Sequence, residues 1–301
     1  MKWFSSYLIR LADEKNGTGR LRVAETYLAA LRSLQQFAGK EDIAFADLNA
    51  PFLGRYQQWL ATRGLRKNTS SFYMRNLRAV YNRAVREGVV KGPAPFADVY
   101  TGVEKTRKRA VGLEEIQRIY GLSLAPGSWE ATVRDLFFFS YFCRGMSFVD
   151  MALLRPQNIV NGRLYYARRK TGQRLSVRWE PCMQEIVERY APNPAGYLLP
   201  IITRTEGDPY RQYRSIIHRV NRTLHGLSAR LGIAPPLTTY VARHSWASNA
   251  YRIGVPIAVI SEALGHESEK TTRIYLSAMD SSSMDEANAA LIRFLQESER
   301  V

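Results

Sequence analysis

The densest run of chemically capable residues lies between Leu237 and Tyr275, where Arg243, His266 and Tyr275 stand in order along the chain. A fourth, Lys170, sits upstream in Arg169-Lys170-Thr171-Gly172. These are the residue types that phosphoryl transfer needs. A phosphodiester repels nucleophiles with its own charge, and an arginine answers that with a planar fork of donors that stays cationic. A tyrosine hydroxyl, with an ordinary pKa of about 10, attacks only with help from a neighbour or a cationic pocket. The departing alkoxide then needs a proton donor. Taken singly, each residue reads as ordinary: Tyr275 as one of 17 tyrosines, Arg243 as an ion-pair partner, His266 as a loop histidine, Lys170 as a solvated turn residue. Their joint order and spacing carry the argument.

Three segments follow one another: Arg243-His244-Ser245-Trp246-Ala247-Ser248, then Leu264-Gly265-His266, then Thr271-Thr272-Arg273-Ile274-Tyr275, with the tyrosine nine residues after His266. The series resembles the tyrosine recombinases of the phage-integrase type. That family carries a His-x-x-Arg box opening a helix, a Leu-Gly-His, a nucleophilic tyrosine at this spacing, and a lysine on a β-hairpin. The likeness extends over nearly the full chain, in the short two-domain form of chromosome-dimer-resolving recombinases, invertases and mobile-element integrases. It implies that Tyr275 attacks a DNA phosphate to give a 3′-phosphotyrosine, that Arg243 and His266 clamp the phosphate, and that Lys170 protonates the leaving 5′-oxygen. The covalent bond conserves the energy of the broken one, so no cofactor and no metal are expected. Double-stranded DNA is the implied partner, gripped by a C-shaped clamp. Four copies would hold two duplexes, accessory DNA-bending proteins would assist, and the outcome would be integration, excision, inversion or resolution.

The sequence departs from the family pattern twice. Tyr240 stands where the box has its histidine, and a phenol donates a hydrogen bond but is a poor base near neutral pH. His244 is expected to point elsewhere from the helix. Aligning on Asp150-Met151-Ala152-Leu153-Leu154-Arg155 puts Ser147 where the first catalytic arginine belongs, and Arg144 lies three residues earlier. One helical turn separates the two, so a local shift at Gly145 would let Arg144 serve, with Asp150 as a structural partner for an arginine.

The positioning elements read as mainly α-helical with one small antiparallel β-sheet, an α+β fold. Helical periodicity marks segments from about Leu21 to Phe37 and Ala50 to Ala61, and a third from the capping residues Asn68-Thr69-Ser70 to Arg86. In the third, Tyr73, Leu77, Val80 and Ala84 face inward, and Arg75, Arg78 and Arg86 are expected outside as DNA contacts. Residues 88–112 have the glycines, prolines and charge of a linker, with Lys105, Arg107, Lys108 and Arg109 as further DNA contacts. This divides the chain into a SAM-like helical core-binding domain, 1–108, and a catalytic domain, 109–301. In the latter, helices are expected over about Leu113–Tyr120, Arg134–Cys143, Pro181–Tyr190, Tyr210–Leu231, Tyr240–Ile253, Pro256–Leu264 and Ser283–Glu297. A hairpin is expected over Gly162–Ala167 and Arg174–Val177 with Lys170 at its turn. Trp246 and the run Phe137-Phe138-Phe139 read as core. The Ser283–Glu297 stretch is amphipathic and suits docking on a neighbouring protomer or on its own domain.

Charge agrees with a polyanion as partner. The 301 residues carry a net charge of +16, and residues 1–109 alone hold 20 basic and 9 acidic side chains. Cys143 and Cys182 form neither a disulfide framework nor a zinc site. The start, MKWFSSYLIRLADE, lacks a leader pattern, so a cytoplasmic, nucleoid-associated bacterial protein is expected. Two other readings fit the same residues: a DNA binder of this fold with impaired catalysis, or a topoisomerase of type IB-like chemistry acting as a lone protomer.

Overall fold

A computed structural model describes residues 2–92, 95–104 and 110–276. The chain divides into two compact units, Met1–Thr106 and Arg107–Val301.

The first unit is helical: α1 (Phe4–Gly17), α2 (Leu21–Ala38), α3 (Ala50–Thr62) and α4 (Lys67–Arg86). α1 is not among the helices expected, although Phe4, Leu8, Leu11 and Ala12 form a fully buried stripe at helical spacing. α3 starts where Asn49 accepts a bond from the Phe52 amide at 2.9 Å, with a proline in the first turn. α4 begins earlier than its polar triplet suggested. Arg66 holds the N-cap position, and Asn68, Thr69 and Ser70 lie inside the first turn. Asn68 instead clasps the backbone of Glu104, donating to its carbonyl at 3.0 Å and accepting from its amide at 2.8 Å. Leu77, Val80 and Ala84 are fully buried. Of the three arginines expected outside, only Arg86 is exposed; Arg75 and Arg78 are half-buried, and Arg78 donates to Thr101 Oγ1 at 2.9 Å. Lys105, Arg107, Lys108 and Arg109 lie outside the described residues.

The second unit is mixed. It runs α5 (Leu113–Tyr120), α6 (Trp129–Phe142), α7 (Phe148–Ala152), β1 (Ile159–Val160), β2 (Arg163–Ala167), β3 (Arg174–Arg178), α8 (Pro181–Glu188), α9 (Pro209–Arg230), α10 (Thr239–Arg252), α11 (Ile257–Ala263) and α12 (Glu269–Leu276). α6 starts five residues before the expected apolar run because the Ser128 hydroxyl caps it, accepting from the Ala131 amide at 3.2 Å. Phe137, Phe138 and Phe139 are all buried in the core. The buried carboxylate of Asp135 ties α6 to the end of α8 through Arg189 Nη1 at 2.8 Å and Tyr190 Oη at 2.9 Å. The sheet is antiparallel in the order β1-β2-β3, with Leu164 opposite Val177 and Tyr166 opposite Leu175. The stretch Ser283–Glu297 lies outside the described residues. Among the described residues no helix is long and apolar enough to cross a membrane.

Candidate active site

α10 is buried on almost every side. Small residues and polar groups that hydrogen-bond across to neighbouring segments permit this where large apolar ones would not fit. Ser245 Oγ accepts from the Val111 amide at 3.0 Å, and Asn249 donates to the Val111 carbonyl at 3.3 Å and to Tyr141 Oη at 3.2 Å. Arg243 projects from this helix and is 3% exposed. A buried guanidinium needs partners to offset lost hydration. Arg243 donates through Nη1 to the Gly145 carbonyl at 2.9 Å and through Nη2 to the Leu264 carbonyl. Gly145 has φ +71°, and a Cβ there would lie 2.6 Å from the Arg243 Cα. Only glycine allows the α6–α7 turn to rest on the helix that bears the arginine.

α11 packs on α10 through Ala247, Ala250, Ile260 and Leu264, with Trp246 against that cluster. The turn after α11 therefore lies beside Arg243. It carries Gly265 at φ +61°, where a Cβ would meet Arg168, Gln173 and Leu175 side-chain atoms at 2.8–2.9 Å. His266 follows. Its Nε2 stands 3.3 Å from Arg243 Nη2, and its Nδ1 stands 2.8 Å from Thr272 Oγ1 on α12. An arginine has only donors, so both bonds form when Nε2 accepts and the ring proton sits on Nδ1. Burial, followed by the charges of Arg243, Arg168 and Lys170, pushes the His266 pKa down to about 4. The imidazole is thus neutral at physiological pH.

Thr272 is fully buried and lies three residues before Tyr275. The backbone of Tyr275 belongs to the last turn of α12. One hydroxyl thus joins the helix that carries the tyrosine to the imidazole that touches Arg243. Sequence reasoning passed over Thr272, although a hydroxyl at this point in the run that ends in Tyr275 was a usable signal.

The β2–β3 turn supplies the rest. Lys170 is exposed at its tip, and the charge of Lys170 reaches His266. Arg168 at its root was not among the expected site residues. It is 9% exposed, and its guanidinium donates to the Gly265 carbonyl. Asp150, on α7, accepts from the Arg169 amide at 2.8 Å and from the Ser147 hydroxyl at 2.6 Å. Those bonds go to a backbone amide and a serine, where the sequence reading had an arginine as its partner. Arg144 follows α6 in a left-handed conformation, φ 57°, next to the glycine whose carbonyl holds Arg243. Tyr240 is half exposed in the first turn of α10, one turn before Arg243. His244, expected to point elsewhere, is buried with its ring edge-on to Tyr240 at a centroid separation of 4.4 Å. The structure therefore brings Arg243, His266 and the helix of Tyr275 to one place, with Lys170 at the tip of the adjoining hairpin, Arg144 beside Gly145, and Tyr240 one turn before Arg243.

Known proteins share this architecture. Residues 3–98 match the model of the phage integrase SAM-like domain, and residues 183–282, which include Arg243, His266 and Tyr275, match that of the phage integrase family. Lys170, Arg168 and Arg144 precede the second match. The chain is 24% identical over 284 residues to tyrosine recombinase XerC of Halalkalibacterium halodurans, covering 91% of this chain and 92% of that one. It is 22% identical to a tyrosine recombinase of Pseudothermotoga lettingae, covering 96% of each. Among solved structures, a lambda integrase dimer bound to a COC′ core site superposes with a TM-score of 0.68 at 16% identity, over 90% of this chain and 94% of that one. The Tn1549 transposon integrase in complex with a circular intermediate DNA gives 0.67 at 14%, over 97% and 100%. Fold and site together define a DNA strand-transfer enzyme of the tyrosine type. The chain belongs to the phage integrase family, the tyrosine-type site-specific recombinases.

Proposed function

We propose that this chain cleaves and rejoins duplex DNA through a phosphotyrosine at Tyr275, with Arg243 and His266 on the scissile phosphate and Lys170 as the acid. The phenolic oxygen of Tyr275 bonds to phosphorus as it loses its proton, the bond from phosphorus to the 5′-oxygen breaks, and Lys170 delivers a proton to that oxygen. Reversal by another strand's 5′-hydroxyl reseals the DNA. The phosphodiester energy is kept in the covalent bond, so religation calls for no nucleotide. The observation that carries this reading is the 3.3 Å approach of Arg243 to His266, tied through Thr272 to the helix of Tyr275. A second cation on the phosphate comes from Arg144 or from another residue at the site. Tyr240, one turn before Arg243, donates a hydrogen bond from its phenol.

The basic N-terminal unit, with Arg75, Arg78 and Arg86, and the strap Lys105, Arg107, Lys108 and Arg109 contribute phosphate contacts in the same reading. The domain boundary falls at about residue 108, and four copies act on two duplexes with accessory DNA-bending proteins. A lambda integrase tetramer has been solved bound to a Holliday junction. Duplexes nicked near candidate sites from around its own gene, run on a denaturing gel, test the chemistry. Wild type forms a protein–DNA adduct and Tyr275→Phe does not. An adduct that persists in Tyr275→Phe refutes the assignment of the nucleophile. Tight, salt-sensitive binding with no adduct on any such site marks instead a binder that has lost its chemistry.

A further inference from the structure

A site that activates a phosphodiester with Arg243 alone lacks half of the clamp its charge requires, and this inference rests on reading the site as a phosphate pocket. Ser147 stands where the second arginine is expected, and its hydroxyl is already committed to Asp150 at 2.6 Å while its residue caps α7. Arg144 makes no side-chain hydrogen bond or ion pair to a described residue.

Arg168 differs in every respect. Along β2 and into the turn, Leu164 and Tyr166 are buried while Tyr165, Ala167 and Arg169 are exposed. The two-residue period of a strand continues that alternation and carries Arg168 to the inward face. A guanidinium placed there is out of water, and its single hydrogen bond among the described residues goes to the Gly265 carbonyl. Arg243 holds the carbonyl immediately before it, that of Leu264. The two guanidiniums thus grip consecutive carbonyls of the turn that leads into His266. Each has five N–H donors, so one carbonyl leaves Arg168 most of its fork for an anion. Two buried arginines and a half-buried histidine gathered at one turn form a site that an anionic ligand would stabilise. The cations that depress the His266 pKa are Arg243, Arg168 and Lys170, and Arg144 is not among them.

We infer that Arg168 is the second guanidinium on the scissile phosphate, supplying from the β-hairpin the charge that Ser147 cannot supply. The test is single-turnover adduct formation on two nicked duplexes, one with the natural scissile phosphodiester and one with an uncharged methylphosphonate there. Arg168→Ala should slow cleavage of the phosphodiester roughly 100- to 1,000-fold at unchanged DNA affinity. Arg168→Lys should recover part of that loss. On the methylphosphonate, which has one charge fewer to neutralise, the deficit of Arg168→Ala relative to wild type should shrink by at least about tenfold, and Arg144→Ala should show no such dependence on substrate charge. An equal deficit on both substrates would make Arg168 a structural support for the Gly265 turn and overturn the inference, as would charge dependence that follows Arg144. Failure of wild type to form an adduct on either duplex would instead overturn the phosphate-pocket reading itself.

Discussion

Gly145 offers a measurement of how tightly the site depends on one contact. In Gly145→Ala the new methyl group would lie 2.6 Å from the Arg243 Cα and 2.9 Å from its Cγ. Carbon atoms rest at about 3.5–4.0 Å, so the α6–α7 turn and α10 must separate by about 1 Å. The residue also stands at φ +71°, where a side chain costs about 1–2 kcal/mol. For a unit of this size each kcal/mol lowers Tm by about 2–4 °C, so backbone strain alone predicts a fall of roughly 2–8 °C. With Arg243 in its proposed role on the phosphate, a 1 Å shift of the helix that carries it costs roughly 100-fold in rate. Gly127→Ala separates the two effects, since Gly127 has φ +72° and open space where its Cβ would stand. Differential scanning calorimetry, an electrophoretic binding assay and single-turnover adduct formation should show both variants losing stability and keeping DNA affinity, with Gly145→Ala losing more because its clash adds to the shared backbone strain. Only Gly145→Ala should lose cleavage. Wild-type cleavage by Gly145→Ala would refute the claim that this contact sets the position of Arg243.

Two further outcomes follow from the same geometry. Thr272→Val keeps the volume of the side chain but leaves His266 Nδ1 without its 2.8 Å partner. A stranded polar group costs about 1–3 kcal/mol, so cleavage should slow roughly 5- to 150-fold while Thr272→Ser stays close to wild type; a fully active valine variant would remove Thr272 from the mechanism. His266 also shapes stability against pH. Its pKa is about 4 in the folded chain and about 6.5 in the unfolded one. Between those values the unfolded chain binds the proton and the folded chain does not. Stability therefore rises with pH from about 4 to about 6.5, and acidification through that window removes it. Denaturant titrations across that range should show a shallower slope for His266→Gln than for wild type, and identical slopes would contradict a depressed pKa.

What the sequence made legible follows from where periodicity is informative. The α+β character, the long helices and the β2–β3 hairpin could be read because each buries one face and exposes the other. α10 has no apolar stripe, since small and hydrogen-bonded polar residues surround it with core. Its helix was found from the motif and not from the pattern. α1 was not legible because its apolar stripe of Phe4, Leu8 and Leu11 is short and soon gives way to the charged and polar residues that end the helix. α12 and α7, eight and five residues long, are too short to show a period. The family resemblance, carried by the order and spacing of the motifs, located Arg243 and His266 as candidates and extended to Lys170 on the hairpin. Arg168 was overlooked although its signal was present: the period of two places it on the face of Leu164 and Tyr166, where a charge requires an explanation.

The way these arginines are held bears on what they can do. A carboxylate fixes a guanidinium but cancels much of its charge, whereas a carbonyl fixes its direction and leaves the charge in place. The bonds of Arg243 to Gly145 and Leu264, and that of Arg168 to Gly265, are of the second kind. Asp150, the buried carboxylate nearby in sequence to the α6–α7 turn, is engaged by a serine hydroxyl and a backbone amide. Thr272 adds a complementary freedom, because a hydroxyl can either accept from or donate to His266 Nδ1. When an anion draws Arg243 away from Nε2, the ring proton can move to Nε2 and point at the phosphate without losing its support on the other side. Donors whose directions are set before the substrate arrives need no reorganisation as charge develops, and this is where such sites gain most of their rate.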